Sequence, residues 1–346
     1  MIYRELGKTG LKVSALGLGG STLGGGLYFR DESEMLRIID AACDAGVNFF
    51  DTSNSYGRGS SERVIGKGLS RRRDTVVIAT KGGMQISRLG GLAMDLRPLL
   101  LPLRPLLRPF RRKLNVMRDH QKVYTHTPKA MRSHLEGSLR RLGTDYVDLY
   151  QFYNITESAL QRDDLFDVMM RFKEEGKIRA CGLTVIFPDP IFQALRFEEL
   201  ESVQFAVSLL DREAARRFLP LAKERDIGVI ARSPLAQGFL TAADGHVMGY
   251  ETSHRTMDYL QTRAAQGRKL RVLANDHRTM AQTALRYCLQ LDGISTTIFS
   301  VTSQAELQEN LGALESPELT DDELLEVERL APAAPASPED THAGSR

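Results

Sequence analysis

The chain turns on NFFDTSNSY, residues 48–56, which runs straight on into GRGSSE, residues 57–62. Val47, Phe49 and Phe50 make a short apolar run of the kind that forms a buried strand, and Asp51-Thr52-Ser53-Asn54-Ser55 ends it in turn-forming residues. The reading is a strand with an acid, Asp51, at its C-terminal end. Tyr56 follows five residues later, and a helix is expected to begin at Ser60 or Ser61 with Glu62 in its first turn. In a parallel α/β sheet, ligand chemistry is built at strand ends of this kind.

TVVIATK, residues 75–81, repeats the pattern: a β-branched apolar run stops at Lys81 and is followed at once by Gly82-Gly83. If the two strands are neighbours, Asp51, Tyr56 and Lys81 converge on one face. An ammonium beside a phenol stabilises the phenolate and makes the phenol a better proton donor, while the aspartate keeps the lysine charged. A tyrosine tuned in this way can protonate a carbonyl oxygen as a hydride arrives. An acid or a lysine at a strand end is commonplace by itself, so the weight rests on the three together.

Outward from this pair, apolar strand runs at residues 13–18, 49–51, 76–81, 147–153, 178–185, 202–207, 228–232 and 295–300 alternate with segments of helical period. Eight alternating βα units predict a parallel sheet closed into a (β/α)8 TIM barrel, with its site at the C-terminal face. Residues 2–13 read as an N-terminal β-hairpin turning at Gly7-Lys8-Thr9-Gly10. No segment has the composition of a linker, so residues 1–330 are expected to form a single domain. A long insertion after the third strand, residues 83–126, carries repeated Leu, Pro and Arg between 96 and 113. It reads as a lid, a docking surface or a membrane-surface segment, and its departure directly after Lys81 favours the lid. Residues 238–276 read as a polar, helix-poor loop facing the site, and 331–346 as a disordered tail.

The 346 residues carry a formal net charge of +2, which makes no case for a nucleic-acid partner. Cys43, Cys181 and Cys288 are far apart and odd in number, so neither a disulfide framework nor a metal site is expected. They read as reduced core residues of a cytoplasmic protein. The N-terminus lacks an apolar signal segment, and no run of about 18 apolar residues is present to span a membrane.

At this point the sequence resembles the aldo-keto reductase family over nearly all of the chain outside the insertion and tail. The matching pieces are YRELGKTGLKVSALGLGG, NFFDTSNSYGRGSSERVIGKGL, ATKGG, SLRRLGTDYVDLYQ, GKIRACGLT, IGVIARSPLAQGFLT and ELQENLGAL. The resemblance implies a (β/α)8 barrel that reduces aldehydes or ketones with NADPH and without metal. It also implies that Asp51, Tyr56 and Lys81 are catalytic, with Tyr56 donating the proton.

Where the family usually places a fourth catalytic residue, a histidine, this chain has Tyr153. Its hydroxyl can still donate a hydrogen bond, but a phenol does not titrate near neutrality. Loop histidines, among them His120, His126, His246 and His254, could substitute only if a loop folded inward. By the same resemblance the cofactor is held by Gly20, Thr184, Gln204, Arg232, Ser233, Leu235, Ser300, Thr302, Glu309 and Asn310. Thr184-Val185 replaces the usual Ser-Asn pair, so one amide is lost. The strip 300–310 has no lysine or arginine for a 2′-phosphate, and Glu306 would repel one it faced. NADP is the cofactor the family implies, with NAD possible.

The expected activity is hydride transfer to the carbonyl of a small-molecule metabolite, a bulky product of secondary metabolism being favoured by the insertion. A redox-neutral dehydratase, isomerase or cyclase using Tyr56 and Lys81, and a non-catalytic binding subunit, are the alternatives. The protein is expected to be a monomer or small homo-oligomer.

Overall fold

The computed structural model describes residues 1–24, 31–86, 122–241 and 257–332. Twelve strands appear among them. β1 (Tyr3–Glu5) and β2 (Lys12–Ser14) form the expected hairpin around a 3-10 turn at Gly7–Thr9. β3 (Leu16–Gly19), β4 (Phe49–Asp51), β5 (Val77–Gly82), β8 (Val147–Phe152), β9 (Ile178–Thr184), β10 (Ser202–Ala206), β11 (Gly228–Arg232) and β12 (Thr296–Phe299) close into one parallel barrel. β6 (Met84–Ile86) and β7 (Lys122–Tyr124) pair antiparallel. They carry the chain into and out of the insertion, most of which, residues 87–121, lies outside the described residues. So do His120, His246 and His254 and residues 333–346 of the tail.

Strand alternation decides what enters the barrel. Successive side chains on a strand point to opposite faces, so residues i and i+2 share one. Phe49, Val77, Ala79, Leu149, Ala180, Ile230 and Ile298 pack together with Leu6, Leu11 and Val13 of the hairpin in one buried cluster, the barrel interior. The hairpin lies at the N-terminal end of β11, where Lys8 N donates to Asp226 O at 2.7 Å. Two residues further along the strands, or four in β9, the same parity turns Asp51, Lys81, Gln151, Thr184, Arg232 and Ser300 inward at the opposite end. The opposite parity, including Leu16, Leu18, Phe50, Ile78, Tyr150 and Leu183, packs outward in the larger cluster against the surrounding helices.

The helix Ser60–Leu69 begins where the sequence places it, behind Gly59 in the left-handed region (φ 84°). Glu62 is in its first turn but is fully buried: it accepts from Thr80 Oγ1 at 2.7 Å and from Arg141 Nε at 2.6 Å. It ties this helix to β5 and to the helix Pro128–Leu142. The reading of residues 238–276 as helix-poor does not hold, because Met257–Leu270 is helical. Leu260, Ala264 and Leu270 pack on the core, and Arg263 reaches Leu210 O at 2.6 Å and the Asp211 carboxylate. That helix owes its place to tertiary contacts rather than to a strong local pattern.

At Gly66 two helices meet closely. A Cβ there would stand 2.1 Å from Leu142 O at the end of Pro128–Leu142. In an open helix, replacing Gly by Ala would stabilise by roughly 0.5–1 kcal/mol, but overpacking against backbone costs about 1–3 kcal/mol. The clash therefore wins: Gly66→Ala is expected to lower the urea midpoint of unfolding, and an unchanged or higher midpoint would show that the helices can part at no cost.

Candidate active site

Asp51 and Lys81 sit on adjacent strands, with Asp51 opposite Ala79 in the β4–β5 register. Lys81 Nζ reaches Asp51 Oδ1 at 2.7 Å, Oδ2 at 2.5 Å and Thr52 O at 2.9 Å. Neither side chain is more than 2% exposed. Burying two charges is tolerable only when each is paired and hydrogen-bonded, and removing one partner of such a pair costs about 3–5 kcal/mol. A third strand joins them: Gln204 Nε2, on β10, donates to Asp51 Oδ1 at 2.8 Å. Gln204, expected from the resemblance at the cofactor amide, braces the acid through its amide nitrogen.

Tyr56 opens a short 3-10 turn, Tyr56–Gly59, in which Gly57 and Arg58 both have φ 56°. Left-handed backbone at a non-glycine residue costs energy and clusters at functional sites. The turn holds the half-buried Tyr56 ring over Lys81, whose Nζ lies 5.1 Å from the ring centroid. Tyr153 meets the Tyr56 ring edge to face, centroids 6.4 Å apart. The structure thus brings Asp51, Tyr56, Lys81 and Tyr153 into one cluster at the C-terminal mouth of the barrel.

Tyr153 is anchored through its backbone. Its N–H donates to Gly82 O at 2.8 Å, and its carbonyl accepts from His126 Nε2 at 3.1 Å. Because a carbonyl only accepts, Nε2 carries the proton. His126 has folded inward from the end of the insertion, but to hold Tyr153 rather than to replace it. It packs edge-on against Phe152, 5.9 Å between centroids. Gly83, at φ +99°, makes room for it: a Cβ there would stand 2.3 Å from His126 Cδ2. Burial pushes the imidazole down to about 4. On the other side of Gly83, its N–H donates to His134 Nδ1 at 2.9 Å, and burial lowers that imidazole too.

Asn154 adds a contact that motif reading missed. In the left-handed region (φ 48°), it donates its N–H to Thr184 Oγ1 at 3.0 Å, and its Nδ2 approaches Tyr124 Oη at 3.4 Å. Its position directly after Tyr153 was the available signal. Gln151 was missed as well. It is fully buried inside the barrel, and neither amide atom has a hydrogen-bond partner among the described residues. The inward parity it shares with Leu149 and Tyr153 would have found it.

The remaining assigned residues follow the rim. Gly20 N donates to Asp51 O at 2.7 Å. Arg232 Nη2 donates to Val185 O at 3.0 Å, and Ser233, Ala236 and Gln237 all have positive φ, with Leu235 half-buried between them. Ser300 Oγ meets Ser21 Oγ at 2.9 Å and donates to Gly19 O at 3.1 Å. Thr302 is bonded to Glu306. Glu309 and Asn310 lie further along the helix Gln304–Leu311, where Asn310 is buried and Glu309 O accepts from Gln282 Nε2 at 3.1 Å. A rim of hydroxyls beside a turn of left-handed residues suits a dinucleotide, since such turns point backbone N–H groups at phosphates. Among the described residues no group of His, Cys, Asp and Glu could hold a metal ion, and no helix is long and apolar enough to cross a membrane. Cys181 and Cys288 are buried and Cys43 half-buried, all free thiols, and burial pushes each of them up.

Residues 15–332 match the family model described as the Aldo/keto reductase family. An uncharacterized oxidoreductase of Bacillus subtilis, YqkF, is 27% identical over 94% of this chain and 94% of its own. The NADH-specific methylglyoxal reductase of Escherichia coli is 28% identical over 89% of this chain and 92% of its own. Among solved structures, the holo form of the aldo-keto reductase AKR11C1 from Bacillus halodurans superposes with a TM-score of 0.76 at 27% identity. That match covers 98% of this chain and 99% of the other.

His126 generates a stability prediction. Its folded-state value of about 4 lies below the unfolded value of about 6.5. The unfolded chain then binds the proton first, so this stability is present above pH 6.5 and is lost as pH falls toward 4. Between pH 8 and pH 5 the loss is of order 2 kcal/mol. Urea denaturation of wild type and His126→Gln at both pH values should show a weaker pH dependence in the variant; equal slopes would mean His126 is not buried neutral.

Proposed function

The chain belongs to the aldo/keto reductase family and is an NAD(P)H-dependent oxidoreductase, and we propose that it reduces the carbonyl of a small-molecule metabolite, with Tyr56 as proton donor. The observation that carries this reading is the buried Lys81–Asp51 pair, with Lys81 Nζ 5.1 Å from the Tyr56 ring centroid. When bound, a nicotinamide nucleotide would supply the hydride. The rim residues Thr184, Arg232, Ser233, Leu235, Ser300 and Thr302 would hold the nucleotide, with Gly20, Glu309 and Asn310 completing its seat.

The chain's own residues handle the proton. As the carbonyl oxygen gains negative charge, the Tyr56 hydroxyl gives up its proton to it and is left as a phenolate. The Lys81 ammonium stabilises that phenolate, and in a site shielded from water such a charge acts more strongly than in solvent. Asp51 keeps Lys81 protonated, and Gln204 fixes Asp51 in the orientation that serves both. Because the Tyr56 ring is half-buried rather than enclosed, solvent can return its proton after turnover. Tyr153 orients the carbonyl by a hydrogen bond from its hydroxyl, and its backbone bonds to Gly82 and His126 fix the strand end that carries it. A phenol in this place donates a hydrogen bond, so it positions the substrate.

Tyr56→Phe is expected to cut turnover of an aldehyde panel by roughly 10²–10⁴-fold, the range for loss of a positioned acid, with nucleotide affinity changed only a few-fold. A variant with full turnover would remove Tyr56 from the role of acid. Tyr153→His should remain folded and bring a new ionisation between about pH 6 and 7 into the rate profile. A profile unchanged in shape would show that residue 153 does not face the reacting oxygen.

A further inference from the structure

The loop after β12 carries its own counter-charge. Ser303 caps the helix Gln304–Leu311, accepting from Glu306 N at 3.2 Å. The Glu306 side chain folds back over the loop: Oε2 accepts from Thr302 N at 2.6 Å and Oε1 from Thr302 Oγ1 at 3.0 Å. The loop itself is pinned to the barrel mouth, since Thr22 Oγ1 donates to Val301 O at 2.8 Å and Ser21 meets Ser300. In (β/α)8 barrels, the loops after the last two strands and a helix N-terminus beside them are the frequent seat of a phosphate. Free N–H groups and the helix dipole favour an anion there. In this chain the two Thr302 donors that would meet such an anion are both engaged by a carboxylate. The strip 300–310 contains no lysine or arginine.

Nucleotide-binding sites divide on this chemistry. An acid accepts from the 2′-hydroxyl of an NAD ribose, whereas an arginine accommodates the 2′-phosphate of NADP. We infer that Glu306, held against Thr302, makes this site select NAD(H) and reject NADP(H). The inference rests on the nicotinamide-dependent reading above and deepens it. A ribose hydroxyl can join the Glu306 carboxylate without displacing Thr302. A phosphate carrying nearly two negative charges must either displace the carboxylate or sit beside it. Because Glu306 is exposed, part of that repulsion is screened by salt. Discrimination of about tenfold to a hundredfold is the scale for a charge clash at a partly solvated site.

The experiment is a titration of the purified full-length protein with NADH and with NADPH, at low and at high ionic strength, read by nucleotide fluorescence and calorimetry. Wild type, Glu306→Gln and Thr302→Arg are compared. Wild type should bind NADH at least about tenfold more tightly than NADPH at low salt, with the ratio shrinking as salt rises. Glu306→Gln keeps an acceptor for Thr302 but removes the charge, and should narrow the ratio by tightening NADPH. Thr302→Arg should narrow it further or invert it. Equal or tighter binding of NADPH by wild type, or an unchanged ratio in Glu306→Gln, would overturn this inference alone and leave the reductase reading standing. Failure of the folded protein to bind either nucleotide would overturn both.

Discussion

The buried ion pair between Lys81 and Asp51 is the constraint on which the rest of the site depends. A lysine ammonium with no exposure to water is stable only if acceptors are already in place when the chain closes around it. Those acceptors come from the neighbouring strand, the carboxylate of Asp51 and the carbonyl of Thr52, and a third strand contributes Gln204 to hold the carboxylate. Closure of the barrel and assembly of the site are therefore one event. Below the pair the interior is filled by aliphatic and aromatic side chains; above it, polar side chains of the same strand parity line the mouth. Placing charge at the boundary between these two regions gives it packed walls beneath and substrate access above.

Around that pair, the backbone helps to fix the positions of the aromatic rings. Tyr56 rides on a turn with consecutive left-handed residues, and Tyr153 is held by its N–H and carbonyl. The returning arm of the insertion contributes His126 and Tyr124 to this scaffold. A histidine kept neutral by burial is a dependable donor to a carbonyl, because it does not gain charge in the physiological range. Its function is to hold the strand end, which explains how an imidazole can lie so close to Tyr153 without standing in for it. Gly82 and Gly83 let β5, the arm and the helix Pro128–Leu142 approach within that small space.

The rim of the barrel mouth follows the same logic of internal satisfaction. Thr184 is bonded to Asn154, Arg232 to Val185, Ser300 to Ser21 and Gly19, and Thr302 to Glu306. A preorganised rim loses little entropy when a ligand arrives, but it also rejects groups whose charge conflicts with the partners already present. Glu306 is the clearest case, since its exposed carboxylate already takes both donors of Thr302.

Much of this was legible in the sequence because it depends on local pattern. Eight apolar runs of strand length with helical segments between them leave few topologies besides a closed barrel, and Asp51, Lys81 and Tyr56 are marked by where those runs stop. Period-two alternation further dictates that Thr184, Gln204, Arg232 and Ser300 share the inner face. What local pattern could not decide is which polar group partners which, because the partners are up to 281 residues apart and meet only when the sheet closes. Gln204 bracing Asp51, Glu62 buried against Arg141, His126 turned to the Tyr153 carbonyl and the helix Met257–Leu270 all depend on such meetings. The sequence by itself determined the strand order, the inward parity and the identity of the acid, lysine and tyrosine. Only the tertiary structure decided how the hydrogen-bonding capacity of those side chains is shared, since each donor or acceptor takes whichever partner the closed barrel brings within reach.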